Sequence, residues 1–252
     1  MPNYQLEVSY DGNRYYGWEH QPDQPMTIQG KIETVLARML SPEEGKPGEI
    51  PKVIGAGRTD AGVHARAMVA NVVMEPDRTP EEIQDYLNRY LPDDISVNDV
   101  RIASDRFHAR YNVIRKTYCY SLYCGHSKPV FDRKYVTVLD EAPNLQKMQE
   151  AAEYLKGTHD YKSFCGNSKM KKSTVRNVEE IRFEGNWPRV KIYYTGSGFL
   201  QNMVRILTGT LLEVGYGRLQ PEDMERILEA KDRRQAGPTA PPEGLMLMRI
   251  DY

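Results

Sequence analysis

The stretch Gly55-Ala56-Gly57-Arg58-Thr59-Asp60-Ala61-Gly62-Val63-His64-Ala65 concentrates more chemistry than any other part of the chain. Three glycines following an apolar segment mark a backbone that is tightly bent or closely approached. The pattern is not a dinucleotide fingerprint, because Asp60 stands where the third glycine belongs. It is not a phosphate-binding P-loop either, since no Gly-Lys-Ser/Thr follows. What remains is a carboxylate on a rigid turn beside an arginine, the setting of a nucleophile. An Asx-turn residue would occupy the same place, so both readings stand on these residues alone.

A second feature is a charge among apolar residues. Phe199-Leu200-Gln201-Asn202-Met203-Val204-Arg205-Ile206-Leu207 continues to Leu211, Leu212 and Val214, and Arg205 is its only charge before Glu213. A buried guanidinium requires a partner, and leaving it alone costs several kcal/mol. Its helical neighbours Gln201 and Thr208 carry no charge, so a carboxylate must come from elsewhere, with Asp60 the natural candidate. Such a pair favours the ionised aspartate; an ordinary structural ion pair has the same signature. Third, Tyr118 and Tyr120 share one strand face directly after Arg115-Lys116. Aromatic rings beside cations hold extruded bases, and tyrosines facing a core give the same spacing. The five histidines show no ligand spacing, so no metal is expected.

The formal net charge is −1, from 34 basic and 35 acidic residues, but the charges are segregated. Arg106, Arg110, Arg115 and Lys116 fall in a stretch without an acid, as do Lys162, Lys169, Lys171, Lys172 and Arg176. Acids gather at Glu81, Glu82 and Asp85 and again at Glu222, Asp223, Glu225 and Glu229. Such blocks fit a basic nucleic-acid-binding surface, or solvated loops. Cys119, Cys124 and Cys165 cannot all pair within one chain and include no C-x-x-C, which points to free thiols in a reducing cytosol. No apolar run approaches bilayer length and no secretory leader is visible at the N-terminus, so a cytoplasmic location is expected.

The elements that must position these residues follow from periodicity. Tyr4, Leu6, Val8 and Tyr10 alternate as a strand ended by Asp11-Gly12-Asn13. Ile28, Ile32, Val35, Leu36 and Met39 recur at helical spacing behind a Thr27 cap. A Pro/Gly/Glu loop covers 41–51, and strands at Val53–Gly55 and Val69–Met74 flank the glycine-rich turn. Thr79-Pro80-Glu81-Glu82 starts a helix running to about Tyr90. Strands are expected at Ile95–Ile102, Lys116–Tyr123, Asn177–Phe183, Val190–Thr195 and Leu245–Ile250. Further helices are expected over residues 145–155, before Gly157, over Leu200–Val214, and from Pro221. The fold class is therefore α+β, with a mixed or antiparallel sheet and helices on one face. A boundary near Ser104 divides it into residues 1–104 and 105–252.

Taken together, these segments resemble the TruA-type tRNA pseudouridine synthases over nearly the whole chain. Gly57 through Ala65 matches the catalytic motif without a gap. Tyr10-Asp11-Gly12 with Tyr16-Gly17-Trp18 matches the first motif. Phe107-His108-Ala109-Arg110 and Arg115-Lys116-Thr117-Tyr118-Cys119-Tyr120 match the segment of the active-site tyrosine. Phe199-Leu200 with Met203-Val204-Arg205 matches the helix whose arginine meets the aspartate, and Ala240-Pro241-Pro242 with Gly244-Leu245 matches the closing motif. One departure is Glu19-His20 after Trp18, where the family usually has glutamine and often a basic residue, so no phosphate grip is assigned to that loop.

The resemblance implies the pseudouridine synthase fold, a mixed and mainly antiparallel sheet of two ferredoxin-like halves with a central active-site cleft. It implies a homodimer without metal or organic cofactor, acting on uridines at positions 38, 39 and 40 of the tRNA anticodon arm. Asp60 would be the nucleophile, by attack at C1′ or through a glycal. Arg205 and Arg58 would stand beside it, and Tyr118 would stack on the flipped uracil and take the C5 proton. Arg110, Arg115, Lys116, Lys169, Lys171 and Lys172 would hold RNA. Rivals are the same chemistry on ribosomal RNA, a non-catalytic RNA-binding module, and a nucleoside hydrolase. The hydrolase would need a second working carboxylate, for which Asp11 is the motif-borne candidate.

Overall fold

The computed structural model describes residues 1–41, 48–167 and 169–252. Most of the expected 41–51 loop, residues 42–47, lies outside the described residues. The chain forms two compact units, Met1–Ile114 with Leu247–Tyr252, and Arg115–Met246. Residues 105–114, which the sequence reading gives to the second half, cluster with the first.

In the first unit the chain runs β1 (Asn3–Tyr10), α1 (Ile28–Met39), β2 (Val53–Gly55), β3 (His64–Val73), α2 (Pro80–Tyr90) and β4 (Ile95–Ala103). Strand order is β4-β1-β3-β2, with every neighbour antiparallel. That is the βαββαβ arrangement of a ferredoxin-like half. Leu6 and Val8 of central β1 are fully buried, as the alternation requires. Ile28, Ile32 and Leu36 of α1 are buried on one stripe, and Thr27 accepts the Gly30 amide at 3.3 Å. At α2, Glu82 N donates to Thr79 Oγ1 at 3.3 Å and Thr79 N to Glu82 Oε2 at 2.8 Å, closing the capping box. Strand β3 begins at His64, five residues before the expected Val69, because Ala65 pairs with Tyr10 at the far end of β1.

The second unit holds β5 (Arg115–Tyr123), β6 (Thr137–Val138), α3 (Leu145–Tyr154), β7 (Gly157–Asp160), β8 (Val175–Asn186), β9 (Arg189–Gly196), α4 (Met203–Gly215) and α5 (Asp223–Ala230). Its order is β5-β9-β8-β7, antiparallel throughout, while β6 pairs with β5 in parallel. The mixed, mainly antiparallel α+β class is thus observed. Closing strand β10 spans Leu245–Asp251. Apolar Ile206, Leu207, Leu211 and Val214 of α4 are fully buried, each contributing about 1.5–3 kcal/mol of apolar burial. Helix α4 starts at Met203, not Leu200, because Asn202 takes the left-handed conformation (φ 58°). Two short strands, β6 and β7, carry no expectation from sequence; four residues or fewer leave no period to detect.

No helix among the described residues is long and apolar enough to cross a membrane. Thr79→Ala removes the capping oxygen of α2 while leaving the core untouched. It should lower unfolding free energy by about 1 kcal/mol, read from the urea midpoint at constant slope. An unchanged midpoint would show that the box contributes nothing in this context.

Candidate active site

Candidate site residues occur in both units. In the first, Asp60 is half-buried on the loop joining β2 to β3. The loop is held by backbone bonds on both sides of the aspartate. Trp18 N donates to Thr59 O at 3.2 Å, Gly62 N to Tyr15 O at 3.2 Å, and Val63 N to Asp60 O at 3.1 Å. Buried Thr59 also shares a 2.9 Å hydroxyl bond with Tyr10. The opposing segment, residues 10–18, is the other expected motif, and its glycines have a steric reason. A Cβ at Gly12 would lie 2.0 Å from Val63 O, and one at Gly17, where φ is +91°, would lie 2.4 Å from Thr59 O. At Gly55 a Cβ would strike the Trp18 indole.

His64 is 1% exposed, and its Nδ1 accepts the Gly12 amide at 3.0 Å. A neutral ring so bonded carries its proton on Nε2. Asp11 Oδ1, 3.3 Å from the same Nδ1, is then a close neighbour rather than a bond. Asp11 itself accepts from the amide and side chain of Asn13 at 2.9 and 2.7 Å. It works as a turn residue, which accounts for it without a second catalytic carboxylate.

Two acids that the sequence reading passed over hold this loop pair in place. Asp94 takes Tyr15 Oη at 2.6 Å and the fork of Arg14, and its own carbonyl accepts the Asp11 amide at 2.9 Å. Burial pushes its carboxyl upward, but the bonds from Arg14 and Tyr15 outweigh that and hold it below the ordinary value. Burial and the Asp94 bond push the Tyr15 hydroxyl up to about 12. Glu33 is 4% exposed on α1. Its carboxylate accepts from Val53 N (3.0 Å), Gln29 Nε2 (2.8 Å) and His20 Nδ1 (2.7 Å), so it ties β2 and the Trp18 loop to the helix. A signal existed: Glu33 interrupts the apolar face of α1 much as Arg205 interrupts that of α4.

Arg58 is exposed, and its ion pair among the described residues is with Glu19, not with Asp60. The acid at position 19 thus occupies the guanidinium nearest in sequence to Asp60.

In the second unit, Arg205 leaves α4 half-buried with its guanidinium oriented. Nε donates to Ala240 O at 2.7 Å and Nη1 to Asn202 Oδ1 at 3.3 Å, while Ala240 N donates back to Arg205 O at 3.1 Å. Residues 237–240 come this close because Gly209 lacks a side chain; a Cβ there would lie 1.8 Å from Pro238 O. Tyr118 is 8% exposed on β5, with its ring edge-on to Phe199 at 5.3 Å. Tyr120, expected on the same face, is fully buried; its hydroxyl lies 2.7 Å from Thr137 Oγ1 and donates to Pro241 O at 2.7 Å. Its burial among these partners makes it a core residue that docks the closing motif.

The expected RNA-contact residues divide by environment. Arg110, Lys169, Lys171 and Lys172 are exposed and carry no ion pair among the described residues. Arg115 is exposed and 3.7 Å from Glu179, and Lys116 is half-buried. Arg176, counted with the basic stretch, turns inward to donate to Ser173 O and Val175 O at 3.0 and 2.6 Å, and burial lowers its pKa. The three cysteines are free, two of them buried. Among the described residues no three His, Cys, Asp or Glu side chains gather as metal ligands.

Comparison with known proteins gives a consistent result. The sequence profile of a family described as tRNA pseudouridine synthase matches residues 7–112 and 151–252. The chain is 44% identical over 252 residues, all of both chains, to a tRNA pseudouridine synthase A of Bacillus sp. strain KSM-64. It is 45% identical over the same full length to a tRNA pseudouridine synthase A 1 of Clostridium tetani. It is 42% identical over 246 residues, 97% of each chain, to a tRNA pseudouridine synthase A of Bacillus licheniformis.

The backbone contact at Gly12 yields a direct test. Gly12→Ala forces the two loops apart and should cost about 1–3 kcal/mol, the usual range for overpacking. Hydrogen exchange at the amides of Trp18, Gly62 and Val63 should accelerate together. Wild-type stability and protection in the alanine variant would show that the loops are not held by this approach.

Proposed function

This chain belongs to the tRNA pseudouridine synthase family, and we propose from that membership that it is an isomerase converting uridine to pseudouridine in tRNA, with Asp60 as its nucleophile. The observation that carries the assignment is the fixed backbone around Asp60, tied at Thr59, Asp60 and Gly62. A carboxylate so held meets its target in one geometry, and prepaid orientation supplies a large share of a rate enhancement. The substrate is uridine in the anticodon arm, where leaving the stack costs least near the loop.

The target nucleotide is everted, and Tyr118 stacks on its uracil. Asp60 attacks, at C1′ or by drawing a neighbouring proton to form a glycal, and the bond from C1′ to N1 breaks. Uracil turns without leaving, and C5 bonds to C1′ as the Asp60–C1′ bond breaks or, on the glycal route, as Asp60 returns the proton to C2′. Tyr118 takes the C5 proton while N1 gains one. Nothing is gained or lost overall. Retention of the freed base is the main service, because its escape would leave a hydrolase. Arg205, oriented by Ala240 and Asn202, is the guanidinium assigned to stabilise the Asp60 charge in this scheme. Arg58 acts at the same carboxylate only if substrate draws it from Glu19. The enzyme works in the cytoplasm as a homodimer whose chain has two ferredoxin-like halves, with residues 105–114 in the first. No metal or organic cofactor takes part in this scheme, which consists of acid–base and covalent steps by side chains.

A separate observation concerns binding. Lys169, Lys171 and Lys172 stand exposed in the loop before β8, which supports them, with Arg110, Arg115 and Lys116, as phosphate contacts that position the RNA without reading its sequence.

Asp60→Ala should abolish pseudouridine formation in an unmodified tRNA transcript, assayed by nucleoside mass spectrometry, while tRNA binding persists. Substantial turnover by this variant would end the nucleophile assignment, and free uracil in place of pseudouridine would mark a hydrolase. Replacing Lys169, Lys171 and Lys172 with alanine should reduce the slope of log affinity against log salt by about 2, at roughly 0.7 per phosphate contact. An unaltered slope removes this loop from the RNA interface.

A further inference from the structure

Two buried asparagines of the first unit spend their hydrogen bonds on one surface loop. Asn3 of β1 and Asn71 of β3 are 2% and 3% exposed, and Asn71 Nδ2 donates to Asn3 Oδ1 at 3.0 Å. Among the described residues, every other bond of the two side-chain amides ends on residues 104–109. Asn3 Nδ2 donates to Ser104 O at 3.0 Å and to Phe107 O at 2.8 Å, and Asn71 Oδ1 accepts Ala109 N at 2.9 Å. Tyr252 adds a fourth tie to the loop, with Oη donating to Ala109 O at 2.7 Å and its ring edge-on to Phe107 at 5.0 Å. Buried amides are retained where each polar atom is satisfied, and here their satisfaction fixes a loop against the sheet.

What the anchored loop displays is an aromatic ring. Tyr111 is 79% exposed and stacks on His108, with ring centroids 4.2 Å apart and planes 29° from parallel. The imidazole is held from below: His108 Nδ1 accepts Arg110 N at 3.1 Å and Tyr111 N at 3.3 Å, and His108 N donates to Asn112 Oδ1 at 2.7 Å. Arg106 and Arg110 flank the pair, exposed and without an ion pair among the described residues. No acid lies between Arg106 and Lys116. An anchored, solvent-facing ring with exposed cations on the same loop has the chemistry of a single-strand platform, where a base stacks and the flanking phosphates are neutralised.

We propose that Tyr111, backed by His108, is a stacking platform for an unpaired base of the RNA substrate, and that Arg106 and Arg110 take the adjacent phosphates. The site is separate from the uracil-binding role of Tyr118 and rests on the proposed action on tRNA. An apolar protein partner would gain nothing from two exposed guanidinium groups on the same loop. An unpaired nucleotide uses the ring and both cations.

The test is a binding measurement on unmodified tRNA and on a short single-stranded oligoribonucleotide, across a salt series. Tyr111→Ala should weaken both by about 5- to 150-fold, the range that loss of one base–aromatic stack produces. The salt slope should stay as in wild type, since no cation is removed. Tyr111→Phe, which keeps the ring, should recover the affinity, and thermal midpoints should match because the side chain is exposed. Unchanged affinity in the alanine variant overturns the platform while leaving pseudouridine formation intact. A loss accompanied by a shallower slope assigns the effect to displaced arginines and also overturns it. An equal loss in the phenylalanine variant makes the hydroxyl responsible, not the stack. If the wild-type chain neither binds tRNA nor forms pseudouridine, the proposed function falls, and the platform with it.

Discussion

A Cβ at Gly12 would lie 2.0 Å from Val63 O, and one at Gly17 would lie 2.4 Å from Thr59 O. Two loops far apart in sequence therefore meet backbone to backbone, closer than any side chain permits. That approach lets Trp18 N and Tyr15 O bond directly to the residues flanking Asp60. The position of the aspartate is thus set by main-chain atoms, which have no rotamers to lose. Glu33 and Asp94 reinforce the arrangement from beneath, each a carboxylate saturated with donors. A buried acid such as Glu33 is tolerable only in that state, and half-buried Asp94 is held by Arg14 and Tyr15.

The second unit uses the same device. Gly209 admits the backbone of Pro238 against α4, and the segment so docked exchanges two bonds with Arg205, through Ala240 O and Ala240 N. Tyr120 then fastens Pro241 from the sheet. The closing Ala240-Pro241-Pro242 motif consequently acts as a splint for Arg205. A guanidinium with Nε engaged has its plane fixed, a condition for directed pairing with a carboxylate. The proposed chemistry asks each unit for the same thing, one polar side chain pinned by a glycine-admitted backbone contact.

Charge is distributed on a different principle. Arg58 and Arg115 are occupied by Glu19 and Glu179, while Arg106, Arg110 and the lysines of the loop before β8 stand in solvent. Exposed ion pairs are weak, so a phosphate can displace the carboxylate partners at small cost, and the unpaired cations need no displacement. A chain with a net charge of −1 thereby presents cationic surfaces suited to tRNA, because segregation rather than the sum governs local attraction. The departure at Glu19 acquires a physical meaning here: it supplies an internal anion to Arg58.

Much of this was legible without coordinates. The alternation of β1, the apolar stripe of α1, the caps at Thr27 and Thr79 and the placement of most strands are local properties, and local pattern reports them within a few residues. The motifs located Asp60, Tyr118 and Arg205, and the family match covers the segments that contain Asp60 and Arg205. Tertiary structure decided whatever depends on residues far apart in the chain. It began β3 at His64 by pairing Ala65 with Tyr10, and delayed α4 by turning Asn202 left-handed beside Arg205. It gave Arg58 to Glu19, reduced Asp11 to a turn, buried Glu33, and moved residues 105–114 to the first unit through Asn3 and Asn71. Sequence spacing determines which side chains share a face of one element. Which charge meets which partner depends on register and loop closure, and those are settled only when the elements pack.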